Sequence, residues 1–328
     1  MAYGVKVLAT GRYLPERVLT NFDLEKIVDT TDEWIRTRTG IETRHIAAED
    51  EATSDMGTQA ALRAMEEANV KPEEIDLILV ATLSPDKIFP NTACFVQKKI
   101  GAVNASCFSI EAACSGFVFG FQIAASMIQT GLYKRALLIG AEMLSSVVNW
   151  DDRTTCVLFG DGAGAVVLAQ CPESENCFVA SDTGSNGEYT DILHVQSGGT
   201  ADPLTVEKLQ NKQNCLEMSG KEVFKIAVNS MVSSAKISLE QANLTIDDID
   251  WIIPHQANLR IIAAVGDRLG INKDKCYINV HRYGNTSAAS IPIALDELVR
   301  ADKIKRGDHI LFVAFGGGLT WGSTILKW

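Results

Sequence analysis

Two stretches of this chain repeat each other at a nearly constant distance, and no other feature of the sequence limits the fold as much. PEEIDLILVATLSP, starting at Pro72, resembles TIDDIDWIIPHQAN, starting at Thr245, so Asp76 and Asp250 stand 174 residues apart. IGAVNASCFSI at Ile100 parallels LGINKDKCYIN at Leu269. In both, a glycine is followed six residues later by a cysteine and then an aromatic, and Gly101 and Gly270 are 169 apart. Each copy continues into a small-residue turn, a helix and a strand, ALLIGAE at Ala136 and ILFVAFG at Ile310, again 174 apart. Three features in one order, at offsets near half of the 328 residues, favour two similar halves in tandem over a chance likeness of two βαβ units. The expected halves are 1–170 and 171–328.

Within the halves, short apolar runs alternate with longer helical stretches. LILVA (77–81), ALLIG (136–140), AVVL (165–168), WII (251–253) and ILFVA (310–314) read as buried strands. Residues 54–68, 116–130, 220–239, 258–269 and 287–300 read as helices. This alternation predicts an α/β fold whose sheets are largely parallel and covered on both faces. Residues 171–216, which hold SDTGSNGEYTD and QSGGTADP, read as loops joining the halves.

The balance of 30 basic against 41 acidic side chains gives a formal charge of −11, which argues against a nucleic-acid partner but leaves room for a local basic patch. The longest apolar run, 117–128, is broken by Gln122 and falls short of the ~20 residues that span a bilayer. MAYGVKVLATGRYLP lacks the basic-then-apolar pattern of a signal peptide. Eight cysteines, none in a C-x-x-C and most inside apolar runs, read as reduced thiols. The expectation is a cytoplasmic chain without membrane or nucleic-acid partners.

Cys114 lies in SIEAACSGFVFGFQIAASMIQTG. A strand at 107–110 runs into Ala112-Ala113-Cys114-Ser115-Gly116 and then a long apolar helix, so the sulfur sits at a tight turn beside a helix N-terminus. Unpaired N–H groups and the positive end of the helix dipole there favour a thiolate. Position alone still leaves a small inert core cysteine as the better reading. His255 and Asn285 change the balance. His255 follows a buried strand at its C-terminal end, where groups of parallel sheets gather around ligands, although such a histidine is often only core. Asn285, in HRYGNTSAAS, occupies a Gly-Asn turn ahead of a helix, nearly the place of Cys114 in the first half. By itself it reads as a turn residue. A pseudo-two-fold axis between the halves would bring the three together.

EAACSGF, IPHQANLRI, GNTSAAS and AFGGGLTWGS, with TDEWIRTRTGI near the start and FGDGAGAVVL in the middle, resemble the β-ketoacyl-acyl-carrier-protein synthase III family over essentially the whole chain. Thiolases pair Cys with His and a second Cys, and elongating ketoacyl synthases pair Cys with two His; Cys-His-Asn points to the initiating type. The resemblance implies a thiolase-like duplicated αβαβα layered fold with two pseudo-two-fold-related halves. It implies a homodimeric acyltransferase of type II fatty-acid synthesis, with no metal and no redox cofactor. An acyl-coenzyme A of short chain acylates Cys114, and malonyl-loaded acyl carrier protein is then condensed with loss of CO2. Residue chemistry agrees: a Cys thiolate is acylated by thioesters, and Asn is a donor that does not titrate.

By the same resemblance the N–H groups of Cys114 and Gly317 form the oxyanion hole, each such donor being worth on the order of 100- to 1000-fold in rate. Trp34, Arg38, Thr39, Arg153 and Asn258 hold coenzyme A, with ring and guanidinium planes sandwiching the adenine. Phe89, in DKIFPNTA, reaches across the dimer to shape the partner's acyl pocket. Lys225, Arg260 and Arg268 are the candidates for carrier-protein contact; the family often has a second basic residue beside Arg268, where this chain has Asp267. A solvated helix face explains the same three charges. Gly160-Asp161-Gly162-Ala163-Gly164 precedes a strand rather than a helix, so it fails as a dinucleotide loop and reads as a tight turn between strands. His45, His194, His281 and His309 show no metal-ligand spacing. Three rivals stay open: a secondary-metabolism or chalcone-synthase-like enzyme with an unusual starter or extender, a thioester hydrolase using the same Cys-His pair, and a non-catalytic acyl-carrier-binding homologue.

Overall fold

A computed structural model describes residues 3–328. Among them the strands are β1 (Gly4–Tyr13), β2 (Arg17–Thr20), β3 (Thr43–Ile46), β4 (Leu77–Ala81), β5 (Ser106–Ile110), β6 (Arg135–Glu142), β7 (Gly162–Cys171), β8 (Phe178–Ser185), β9 (Leu193–Val195), β10 (Leu216–Met218), β11 (Trp251–Pro254), β12 (His309–Gly316) and β13 (Thr320–Lys327). The α-helices are α1 (Asn21–Leu24), α2 (Asp32–Thr39), α3 (Thr53–Ala68), α4 (Thr92–Ile100), α5 (Gly116–Gln129), α6 (Val206–Gln210), α7 (Gly220–Ala242), α8 (Leu259–Leu269), α9 (Val280–Tyr283) and α10 (Ser290–Arg300).

The first main sheet runs β1-β7-β6-β4-β5 and the second β8-β13-β12-β11. Strand for strand they match. The two outer pairings, β1–β7–β6 and β8–β13–β12, are antiparallel, while β6–β4 and β12–β11 are parallel. A parallel bridge from Ile252 to Cys276 stands where β5 pairs with β4 in the first half. Helix endings repeat too. α3 stops at Asn69 and α7 at Asn243, both in the left-handed region at φ 51°, and α4 and α8 stop at Gly101 and Gly270. Asn and Gly accept this cap conformation at little steric cost.

Five layers result. α3 and α4 cover the outer face of the first sheet, α5 and α10 lie between the sheets, and α7 and α8 cover the outer face of the second. A helix between two sheets has no solvated stripe, and α5, GFVFGFQIAASMIQ, carries no charge. Its Phe117 and Phe121 meet Phe312 of β12 edge-on, with ring centroids 6.1 and 6.2 Å apart. This is the duplicated αβαβα arrangement expected from the sequence.

Three expectations are corrected. The sheets are mixed, not largely parallel: β12 and β13 are joined by a turn of three residues, and so short a link returns the chain antiparallel. Residues 171–216 are not simply loops, because they hold β8, the edge of the second sheet, as well as β9 and α6. The polar run SDTGS conceals β8, since its hydroxyls are satisfied inside: Ser181 donates to the Ser323 carbonyl and Thr183 to Gln122. Gly162, Ala163 and Gly164 belong to β7 rather than to a turn. A Cβ on Gly164 would lie 2.7 Å from the Ile293 nitrogen and from Pro292, so glycine there lets α10 seat against the sheet.

That contact generates a stability prediction. Gly164→Ala should cost about 1–3 kcal/mol by overpacking against backbone that has little room to move. Gly187→Ala, where a Cβ meets nothing within 4 Å, should be nearly neutral. Thermal melts of the two variants against the parent protein check the contrast.

Candidate active site

Cys114 stands on a 3-10 turn, Ala113–Ser115, between β5 and α5. Ala113 adopts φ 43°, a left-handed conformation unusual for a residue with a side chain. The turn is clamped on both sides. The Ala113 N–H donates to the Glu111 carboxylate at 2.9 Å, and the hydroxyls of Ser115 and Thr320 converge on the Ala112 carbonyl at 2.7 and 2.9 Å. The second half builds the same device. A 3-10 turn, Ser287–Ala289, precedes α10, and Ser287 has φ 48°. The 174-residue offset therefore maps Ala113 onto Ser287, Cys114 onto Ala288, and Glu111 onto Asn285.

The two turns press together at the centre of the molecule. A Cβ on Gly140 would lie 2.3 Å from the Ala288 carbonyl oxygen, and one on Gly116 would lie 3.6 Å from the Ala288 methyl. The end of β12 crosses the first turn just as closely, since a Cβ on Gly316 would approach the Cys114 nitrogen to 2.6 Å. Cys114, His255, Asn285 and Gly317 all line one cavity of about 900 Å³. The sequence expectation that three distant segments converge is met by this lining.

Each side chain is held by specific partners. Asn285 donates its N–H to the Leu158 carbonyl at 2.8 Å and accepts from the Gly160 N–H at 3.0 Å, so its backbone is fixed on both sides. Its Oδ1 accepts from the Ser287 N–H at 2.8 Å, which leaves Nδ2 as the donor facing the cavity. His255 donates its N–H to the Val313 carbonyl, and its Nδ1 lies 2.8 Å from Ser290 Oγ. Burial pushes the Cys114 thiol up to about 12, with the nearby Ser287 hydroxyl opposing the rise and the Glu142 carboxylate adding to it. Burial likewise pushes His255 down to about 3. Burial thus favours the uncharged form of both side chains. The same burial works against the thiolate that the helix N-terminus favours.

Of the remaining candidates, Trp34, Arg38, Thr39, Asn258 and Arg260 line the same cavity, while Arg153, Phe89, Lys225 and Arg268 do not. The guanidinium groups of Arg38 and Arg153 lie 5.1 and 5.2 Å from the Trp34 ring centre, so the three already form a cluster. Thr39 turns its hydroxyl to the Ile35 carbonyl at 2.6 Å and serves its helix. Asn258 caps α8 through its oxygen, with its amide nitrogen left over. Phe89 is 85% exposed on the segment after β4, next to the equally bare Ile88. Lys225, Arg260 and Arg268 are exposed on α7 and α8, where Arg268 ties the two helices by a bond to Asn229. Sequence reasoning passed over Lys221, which lines the cavity, and over Ser287 and Glu142. Glu142 was legible as a lone acid ending a strand of apolar residues, ALLIGAE. Among the described residues no group of three or more His, Cys, Asp or Glu side chains could hold a metal ion, and no helix is long and apolar enough to cross a membrane.

Two matched α/β halves with a buried cysteine on the central turn define a condensing enzyme of the thiolase fold. Comparisons with known proteins narrow this. Residues 108–187 match the family described as 3-Oxoacyl-[acyl-carrier-protein (ACP)] synthase III, and residues 239–328 match its C-terminal counterpart. The chain is 53% identical to a Beta-ketoacyl-[acyl-carrier-protein] synthase III of Caldanaerobacter subterraneus, covering 98% of this chain and 97% of that one. It is 52% identical to the protein of the same description in Clostridium acetobutylicum, over 99% and 98% of the two chains. The crystal structure of 3-oxoacyl-[acyl-carrier-protein] synthase III from Aquifex aeolicus superposes with a TM-score of 0.92 at 50% identity, over 99% of this chain and all of the other. The chain belongs to the β-ketoacyl-[acyl-carrier-protein] synthase III family, and it is an acyltransferase, an initiating condensing enzyme of fatty-acid synthesis.

The approach of β12 to the nucleophile turn makes a direct prediction. Gly316→Ala should displace the Cys114 nitrogen and cut turnover by on the order of 100-fold or more, the scale of one lost oxyanion donor. The circular dichroism spectrum should stay that of the parent. Turnover near that of the parent would contradict the tight crossing.

Proposed function

We propose that Cys114 takes the acyl group of a short-chain acyl-coenzyme A and that the acyl-enzyme then condenses with malonyl-acyl carrier protein, releasing CO2 and a 3-oxoacyl-acyl carrier protein. The observation that carries this reading is the convergence of Cys114, His255 and Asn285 on one cavity. Sγ attacks the thioester carbonyl, the oxyanion takes the N–H groups of Cys114 and Gly317, and coenzyme A leaves as its thiol. Ser290 Oγ accepts from the Gln256 N–H and lies 2.8 Å from His255 Nδ1; in our reading its hydroxyl donates to Nδ1 and the ring proton sits on Nε2. Nε2–H and Asn285 Nδ2 then donate together to the malonyl thioester oxygen as charge builds there during decarboxylation. The resulting carbanion attacks the acyl carbonyl on Cys114. The depressed His255 pKa suits this role, because a neutral donor holds one protonation state across the working range.

The cluster of Trp34, Arg38 and Arg153 is the proposed coenzyme A contact, with Thr39 and Asn258 beside it. In our reading Phe89 shapes the acyl pocket of a partner subunit in a homodimer, which accounts for so large an apolar side chain left bare. The division into halves at 170/171, a cytoplasmic location, and a reaction without metal or redox cofactor belong to the same reading. Lys225, Arg260 and Arg268 are the proposed carrier-protein contact on the α7–α8 face, a local positive field on an acidic protein. The rival hydrolase requires free acid as product and no malonyl substrate.

Mass spectrometry after incubation with a panel of acyl-coenzyme A species tests the nucleophile and reports the primer length. A single acyl adduct on Cys114 is expected, lost in Cys114→Ala along with condensation; an adduct elsewhere would overturn the assignment. His255→Ala and Asn285→Ala should depress malonyl decarboxylation severely and self-acylation far less. Equal loss of both half-reactions in Asn285→Ala would make that residue structural.

Charge reversal tests the docking face. Arg260→Glu should raise the KM for malonyl-acyl carrier protein and leave self-acylation almost unchanged, with an effect that shrinks as salt rises. Carrier kinetics untouched at low salt would move the docking face elsewhere.

A further inference from the structure

Two thiols outside the cavity have no part in the proposed reaction. The strand period puts Cys107 and Ser109 of β5 on one face and Phe108 and Ile110 on the other. The first pair meets α4, and the second packs into the core between the sheets. α4 answers with its first turn. Asn91 caps the helix through Oδ1, which accepts from the Cys94 N–H at 3.3 Å and from Ser109 Oγ at 3.4 Å. Ser109 Oγ accepts in turn from the Ala93 N–H at 3.2 Å. Polar bonds thus tie the start of the helix to the strand.

That tie brings two sulfurs into contact. Cys107 Sγ donates to Cys94 Sγ at 3.5 Å and to Gln97 Oε1 at 3.3 Å, and Asn91 Nδ2 donates to Cys94 Sγ at 3.3 Å. Both cysteines are free and only partly buried, and neither lines the cavity of Cys114. No other two cysteine sulfurs are hydrogen-bonded to each other among the described residues. A disulfide holds its sulfurs near 2.05 Å, so this pair stands about 1.5 Å from bonding distance.

We propose that Cys94 and Cys107 are a reversible disulfide site, closed by hydrogen peroxide and reopened by a thiol reductant. Cys107 is the donor in both of its bonds and Cys94 the acceptor in both of its, so Cys94 is the sulfur placed to react first. Its thiolate attacks one peroxide oxygen. An S–O bond forms, the O–O bond breaks, and the hydroxide released takes the proton that Cys94 gave up. Cys107 then attacks the sulfenic sulfur. The S–S bond forms, the S–O bond breaks, and the second hydroxide leaves with the Cys107 proton as water. Two thiols have lost two hydrogens and two electrons, and one peroxide has become two waters. The new bond closes a loop between residues 13 apart. It fixes the base of the segment that carries Phe89 and the strand that runs into the Cys114 turn. In a reducing compartment such a bond is transient, which is the ordinary behaviour of a redox-sensing pair.

The test reads peptides and needs no acyl substrate. Lys98 and Lys99 lie between the two cysteines, and Glu111 lies between Cys107 and Cys114. Cleavage at lysine and glutamate therefore puts the three cysteines on separate peptides. The intact protein is treated with hydrogen peroxide, its remaining thiols are capped with iodoacetamide, and the peptides are weighed without reductant. The peptides of Cys94 and Cys107 should appear joined, two hydrogens lighter than their sum, and should part again in dithiothreitol. Cys107→Ser should lose the joined species and leave a sulfenic acid on Cys94, trapped by dimedone. Cys94→Ser should lose it too and leave Cys107 capped. Cys94 and Cys107 both capped after excess peroxide would overturn the proposal, as would separate oxidation of each without joining. β5 is the outer strand of its sheet, so a disulfide between two copies is the rival outcome. A doubled mass on a gel without reductant would show that, and would overturn the pairing within one chain. Should either serine variant fail to fold, the parent protein decides alone.

Discussion

Everything at the centre of this molecule depends on main chains approaching where no methyl group fits. Gly140 faces the Ala288 carbonyl, Gly164 faces the start of α10, and Gly316 faces the Cys114 nitrogen, each within 2.3–2.7 Å of an added Cβ. These contacts join the two halves into one packed unit and hold the two 3-10 turns back to back. Cys114 inherits its place from them. It is a residue on a turn that cannot shift without moving the backbone of the opposite half.

Electrostatics follow from the same closeness. A centre so thoroughly buried disfavours charge: burial pushes the Cys114 thiol and the Glu142 carboxyl up and the His255 imidazole down. The duplicated halves differ most where it counts. The offset that maps Cys114 onto Ala288 also maps Glu142 onto Gly316. At the end of β12 glycine gives the nucleophile turn room, and at the end of β6 a carboxylate meets the hydroxyl of the opposite turn. Two copies of one scaffold thus bring different side chains to one cavity: Cys114 from the first, His255 and Asn285 from the second.

Much of this was readable from the chain itself. β4 matches its apolar run LILVA residue for residue, and the repeat anchored on Asp76 and Asp250 foretold the matched sheets. Cys114, His255 and Asn285 were legible because small-residue turns and strand ends mark them. What stayed hidden were features decided by partners far along the chain. β8 is polar and shows no apolar alternation, because its hydroxyls find acceptors on β13 and α5. The glycines of 162 and 164 read as turn residues because local sequence does not show the helix that presses on them. The helix N-terminus beside Cys114 is visible in sequence, whereas the burial that works against its thiolate is not.

The strand order also sets how the chain is made. β1 pairs with β7, so a strand made early in this sequence waits for one made about 150 residues later. At about 5–20 residues per second the roughly 150 intervening residues take on the order of 10–30 s. Throughout that interval β1 is an unpaired edge, and Lys6 and Arg12 are the charges that discourage wrong pairing. β8 repeats the wait for β13. The nascent chain thus passes two periods of exposed edge, one for each copy, and the second opens with β8 almost as soon as β7 has closed the first.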